Sequence, residues 1–294
     1  MVPYQANLEG VESRIGYHWR VTVISRLRSL VLPMLAFLAV LPCFADDLEE
    51  GWKNMVMQAL YAAGSNDFAR AEQLLLKALH EAERFGPSDP RVGSTLNSLG
   101  LVYRSEKKYT PATASFQKSL TILEVAYGPE SLDVANINYN IGSTLLDDSK
   151  FAQSLPYLQK SIDMYSRLLG GQSLKTASAI CGVGEAHRGM KAWAEAEKSL
   201  KRCGEIREAD GGVVNKEFGD AMASLAYVYH QAGKTAQADS TYKLAEGIRE
   251  KTYGIMSSEL ANTLEAHAGL LKQLGRDRDA EKNMSLVNAI RRKK

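Results

Sequence analysis

Imidazoles and thiols are the groups from which a protein most readily builds acid–base, metal-binding and nucleophilic chemistry. Past residue 45 this chain holds four histidines, His80, His187, His230 and His267, and two cysteines, Cys181 and Cys203. No two of the histidines stand four residues apart, the spacing that would put two ligands on one helical face. No His-Glu-x-x-His segment, Gly-rich phosphate loop or nucleophile elbow occurs either. The spacing therefore predicts no catalytic group, no metal site and no cofactor, each histidine being packed or facing solvent. The thiols have a plainer use. In an antiparallel pair of helices Cys181 and Cys203 would lie at similar heights, so a disulfide could join them across a hairpin; alternatively Cys203 is a small buried hydrophobe.

The elements that must carry these residues follow from a repeat. Leu99-Gly100, Ile141-Gly142, Val183-Gly184, Leu225-Ala226 and His267-Ala268 recur at a step of 42 residues. The same step links Tyr103, Leu145, His187, Tyr229 and Leu271, then Ala112, Ser154, Ala196, Ala238 and Ala280, then Phe116, Leu158, Leu200, Tyr242 and Met284. One more unit precedes these at a step of 41, through Phe68, Ala71, Leu75 and Ala78. Within each unit apolar residues fall at i, i+3, i+4 and i+7, the period of an amphipathic helix. A short polar break such as Ser105-Glu106-Lys107-Lys108 divides the unit, and longer breaks with Gly or Pro, such as Tyr127-Gly128-Pro129, separate units. The pattern predicts six helical hairpins between about 52 and 290, in units near 52–89, 90–131, 132–173, 174–215, 216–257 and 258–294.

Glycine inside a helix costs about 1 kcal/mol relative to alanine, yet Gly100, Gly142 and Gly184 share one column. A second small column, Ala112, Ser154, Ala196, Ala238 and Ala280, is expected to face them, so that the two helices of a hairpin approach closely. Tyr103, Phe116, Tyr229 and Tyr242 are then expected to fill the space between hairpins. A lone hairpin cannot bury such a face, so neighbours must stack.

Small residues in these columns, with large ones between them, resemble the tetratricopeptide repeat in its 42-residue, kinesin-light-chain-like form, which is found in many bacterial proteins. HEAT repeats have comparable length but lack the paired small columns. The resemblance implies an all-α, right-handed α-solenoid of about six hairpins, whose first helices line a concave face. It weakens at the ends: His267 replaces an aliphatic residue, and the first unit lacks a clear small residue paired with a strong aliphatic one. It also implies a peptide-binding groove containing Asn97, Arg104, Asn136, Tyr139, Arg188, Tyr227, His230, Asn262 and Lys272. Amides can donate to and accept from a peptide backbone, and the cations could hold a carboxylate.

Arg26 and Arg28 precede an apolar run from Leu30 to Phe44, and Cys43 and Ala45 are small residues suited to signal-peptidase pockets. The order predicts a signal peptide over 1–45, cleaved between Ala45 and Asp46, and a periplasmic or secreted solenoid over 46–294; an uncleaved membrane anchor is the alternative. The segment before Val21 and Val23 is long for a leader, so translation is expected to begin near those valines. Four of the 36 basic and two of the 34 acidic residues precede 46, which leaves 32 of each and no net attraction to nucleic acid or an acidic membrane. A non-catalytic scaffold binding a protein or peptide partner is the expected function. A self-associating structural envelope component is the alternative, and an enzyme with an unrecognised site the weakest reading.

Overall fold

The computed structural model describes residues 47–211 and 215–293. Among them are twelve helices and no strand. Helix α1 covers 47–64. It is followed by α2 (Phe68–Glu83), α3 (Pro90–Ser105), α4 (Tyr109–Tyr127), α5 (Leu132–Asp147), α6 (Phe151–Leu169), α7 (Leu174–Gly189), α8 (Trp193–Gly211), α9 (Lys216–Gln231), α10 (Thr235–Tyr253), α11 (Ser258–Gln273) and α12 (Asp277–Arg292). Each helix packs on the next, α1 on α2 through Ala59, Ala62, Ala71 and Leu75, giving six hairpins stacked in chain order as an all-α solenoid. From α3 to α11 the first helices of successive hairpins also touch one another, so they line one continuous face. The proposed leader, with Ala45 and Asp46, lies outside the described residues.

Local chemistry sets each helix end. Asp89, Ser131, Ser173, Asn215 and Ser257, one per repeat, cap α3, α5, α7, α9 and α11 by accepting a hydrogen bond from a first-turn backbone N–H. The turn inside each hairpin is equally regular. Lys108 N–H donates to the Tyr103 carbonyl and Lys107 N–H to that of Arg104, and the pattern recurs at Lys150, Ala192, Lys234 and Arg276. This pairing closes a helix through one residue in the left-handed region. That residue is Asn66, Lys107, Ser149, Lys191, Gly233 and Gly275 in turn.

The glycine column is explained by close approach, with one change to the expected packing. A Cβ at Gly100, Gly142 or Gly184 would stand 2.6–2.7 Å from the side chain of Phe116, Leu158 or Leu200. The large residue therefore seats against the glycine of its own hairpin, rather than only between hairpins. Phe116, Leu158 and Leu200 are completely buried, and burying such a side chain is worth about 1.5–3 kcal/mol, more than the glycine costs. In the first hairpin Ala59, also fully buried, takes the small position, and exposed Gln58 stands where later units carry an aliphatic residue.

Candidate functional site: the concave groove

The face lined by α3, α5, α7, α9 and α11 carries a central open hollow of about 340 Å³. Its walls include Arg104 from α3, Tyr139 and Asp147 from α5, Cys181 and Gly182 from α7, and Asp220 and Ser224 from α9. Gly182 lets α7 sit close against α6, since a Cβ there would already meet Leu158 at 3.0 Å. Of the residues expected to form a groove, Arg104 and Tyr139 border the hollow. Asn262 and Lys272, exposed on α11, do not.

Neighbouring first helices are laced by contacts 43 residues apart, which from α3 onward is one repeat plus one position. Trp52 Nε1 donates to Thr95 Oγ1 at 2.9 Å, Asn140 Nδ2 to Asn97 Oδ1 at 2.9 Å, and Arg104 Nε to Asp147 Oδ2 at 2.6 Å. His230 Nε2 lies 3.1 Å from Gln273 Oε1. Several groove side chains thus hold neighbouring helices together as well as facing the groove. Arg188 pairs with Glu185 at 2.6 Å and lies 5.6 Å from the centre of the Tyr227 ring, whose other neighbour is Trp193 at 6.4 Å.

A second ladder went unforeseen, from the second helices. Tyr165, Arg207 and Arg249 follow one another at 42 residues, and each reaches back to the residue 29 positions earlier. Tyr165 donates its hydroxyl to Asn136 Oδ1 at 2.8 Å, and Lys175 Nζ donates to the same oxygen at 2.8 Å. Arg207 donates to Ser178 Oγ at 3.0 Å. Arg249 binds Asp220 at 2.7 Å, and Tyr253 donates to the other Asp220 oxygen at 2.7 Å. Burial, aided by that bond to a carboxylate, pushes the Tyr253 phenol up to about 12. Arg207 and Arg249 both line the hollow. Their shared repeat step was the available signal, but it lies at a position where the repeat's small-and-large pattern makes no demand.

Cys181 and Cys203 are joined as a disulfide, their Cα atoms 5.3 Å apart, across the α7–α8 hairpin. Cys203 is fully buried, whereas Cys181 is half-buried and borders the hollow. The buried imidazole lies elsewhere. His267 has Glu246 Oε1 2.7 Å from Nδ1 and Asp239 Oδ1 2.9 Å from Nε2, and it stacks on Tyr242 at 5.1 Å. Burial alone would lower its pKa, but hydrogen bonds to Glu246 and Asp239 carry it above the ordinary 6.5. At 2% exposure it bridges α10 and α11 instead of facing a substrate. Among the described residues no group of three or more His, Cys, Asp or Glu side chains could hold a metal ion, and no helix is long and apolar enough to cross a membrane.

Residues 92–133 and 133–209 each match a tetratricopeptide repeat model. Residues 92–209 are thus tetratricopeptide repeats. Its solenoid is similar to BtubC (BKLC) from P. vanneervenii, with a TM-score of 0.65 and 15% identity over 76% of this chain and 91% of that one. The nearly identical, kinesin-light-chain-like repeats of a Podosopora anserina protein give 0.58 and 14% over 70% and 97%. PilW, a widely conserved type IV pilus biogenesis factor, gives 0.61 and 20% over 81% and 92%. At these identities the likeness is one of fold. No curated protein sequence matches the chain significantly.

Proposed function

We propose that this tetratricopeptide-repeat protein is a non-catalytic scaffold that holds an extended segment of a partner protein across its concave groove. The observation that carries this reading is the open hollow at the centre of the groove, where Tyr139 offers an aromatic wall and Arg104 and Arg249 offer cations. A peptide lying along the groove beyond the hollow can meet Asn97 and Asn136, whose Oδ1 atoms already accept from Asn140 and from Tyr165 and Lys175. Its carboxylate would compete with Asp147 or Asp220 for an arginine. The groove's own acids, Asp147 and Asp220, are already engaged by Arg104 and Arg249, so a partner's basic residue would have to compete for them. An exported, periplasmic setting accords with the leader-like order of residues 1–45 and with a fold shared with a pilus biogenesis factor. Affinity capture from an envelope extract tests the reading. Ser224→Arg, which fills the hollow, should abolish recovery of the partner while leaving helicity unchanged. Equal recovery by both proteins would move the site off the groove.

Self-association is the second reading, favoured by Met57, Leu60 and Tyr61, which stand 67%, 52% and 80% exposed on α1 at the first end of the array. Light scattering across a concentration series that shows only monomer would remove it.

A further inference from the structure

Arg207 is a buried cation with no carboxylate beside it. It is 9% exposed, and among the described residues no aspartate or glutamate oxygen lies within 4.0 Å of its guanidinium, whereas Arg249, one repeat later, holds Asp220 at 2.7 Å. Arg207 instead directs Nε to Cys203 Sγ at 3.4 Å and a terminal nitrogen to Ser178 Oγ at 3.0 Å. Although it reaches the hollow, a guanidinium buried to this degree without a counter-ion is disfavoured. A disulfide sulfur is a weak, neutral acceptor and supplies none; a thiolate at the same place would. The two sulfurs are also unequal in access, since Cys203 is fully buried and Cys181 borders the hollow.

We propose that Cys181–Cys203 is an exchange-active disulfide, opened when a thiolate entering the groove attacks Cys181 and leaves Cys203 as a thiolate beside Arg207. A new sulfur–sulfur bond forms to Cys181 Sγ while the Cys181–Cys203 bond breaks. The bonding electron pair passes to Cys203 Sγ. The incoming sulfur is oxidised to the disulfide level as Cys203 is reduced, so no further oxidant is needed. Return attack by the Cys203 thiolate releases the captured thiol and closes the bridge. Complete burial works against a charged Cys203, and the adjacent cation works for it; a thiol of lower pKa leaves faster. This activity would make the groove a site of covalent, reversible capture for a thiol-bearing occupant, and it does not depend on the peptide reading above.

Thiol counting on the exported chain from Asp46, denatured without reductant, should find no free thiol; two would overturn the proposal. Native chain incubated with reduced glutathione, quenched with acid and mapped by mass spectrometry, should carry glutathione on Cys181 with Cys203 free. An adduct on Cys203, or none on either, would overturn it. Arg207→Gln should slow exchange about three- to tenfold through the poorer leaving group, and Arg207→Lys should restore most of the rate. Wild-type exchange in a folded Arg207→Gln protein would count against the assignment. Should that variant melt early, Cys181→Ser supplies a second reading: the thiolate absorbance of Cys203 should titrate below the ordinary cysteine value of about 8.5, and titration at or above it would overturn the proposal. A cysteine-bearing peptide offered beside glutathione at equal thiol concentration tells the sources apart, the faster reactant marking the occupant as polypeptide or small thiol.

Discussion

Two glycines of α5 and α10 show how one residue type answers to opposite demands. Gly142 is packed so that an added Cβ would lie 2.7 Å from Leu158 Cγ and 3.3 Å from the Leu158 backbone nitrogen, while Gly247 has nothing within 4 Å. Alanine gains up to about 1 kcal/mol of helix propensity at either site, but overpacking a tight contact costs about 1–3 kcal/mol. Gly142→Ala is therefore expected to lower the denaturation midpoint by a net loss of about 1 kcal/mol, and Gly247→Ala to raise it; urea titration of both compares them directly. His267 makes a prediction in pH. Its folded pKa is raised, so its stabilising contribution is full below its ordinary value of 6.5 and is lost as pH climbs through the folded value. Asp239 behaves oppositely. Burial would raise it, but hydrogen bonds from Lys243 and His267, with the charge of Arg276, hold it at about 2, so its contribution is present above 3.8 and lost as pH falls towards 2. Stability should be greatest between those limits, and His267→Gln should flatten its decline on the alkaline side. Denaturation midpoints across pH check both flanks.

At the scale of the helix, each first helix depends on a cap that its neighbours also carry. Ser173→Ala removes the acceptor for Thr176 N–H at the start of α7 and is expected to cost about 1 kcal/mol, within a usual range of about 0.5–2. Ser173→Asp should retain most of the stability, because a carboxylate accepts the same bond and suits the positive end of the helix. The caps at Asp89, Ser131, Ser173, Asn215 and Ser257 were readable, because polar cap residues at a fixed step precede each helical run. The turns within hairpins were less so. Lys107 and Lys191 sit at φ 60° where Gly233 and Gly275 occupy the equivalent turns, and lysine carries no preference that would announce it. Only the two hydrogen bonds closing the preceding helix fix that conformation there.

At the scale of the molecule, stacked hairpins contact only their neighbours, so stability is a sum of units and interfaces. Deleting 258–294 removes α11 and α12 and strips Arg249 of its bonds to the Glu259 carbonyl and Thr263 Oγ1. The remaining five hairpins should keep their helicity and melt at a lower temperature; complete loss of helical circular dichroism would contradict a solenoid of semi-independent units. The internal ladders explain why such an array is nonetheless one body. Contacts at 43 residues tie first helix to first helix, and contacts at 29 tie α6, α8 and α10 to the concave face.

Six hairpins, their order and the small columns were legible in the chain because a helix records its buried face at 3.6 residues and a stacked unit records itself again 42 later. The candidate groove was legible only as a surface. Asn97, Arg104 and Asn136 were readable as polar positions on first helices, but not as residues bonded to Asn140, Asp147 and Tyr165. Those partners lie 43 or 29 residues away, and which of them meet depends on the tilt between stacked helices. Arg207 is a different case: Cys203 four residues before it and Ser178 twenty-nine before it stand where Arg249 has Ala245 and Asp220, but only the three-dimensional packing shows that these positions meet.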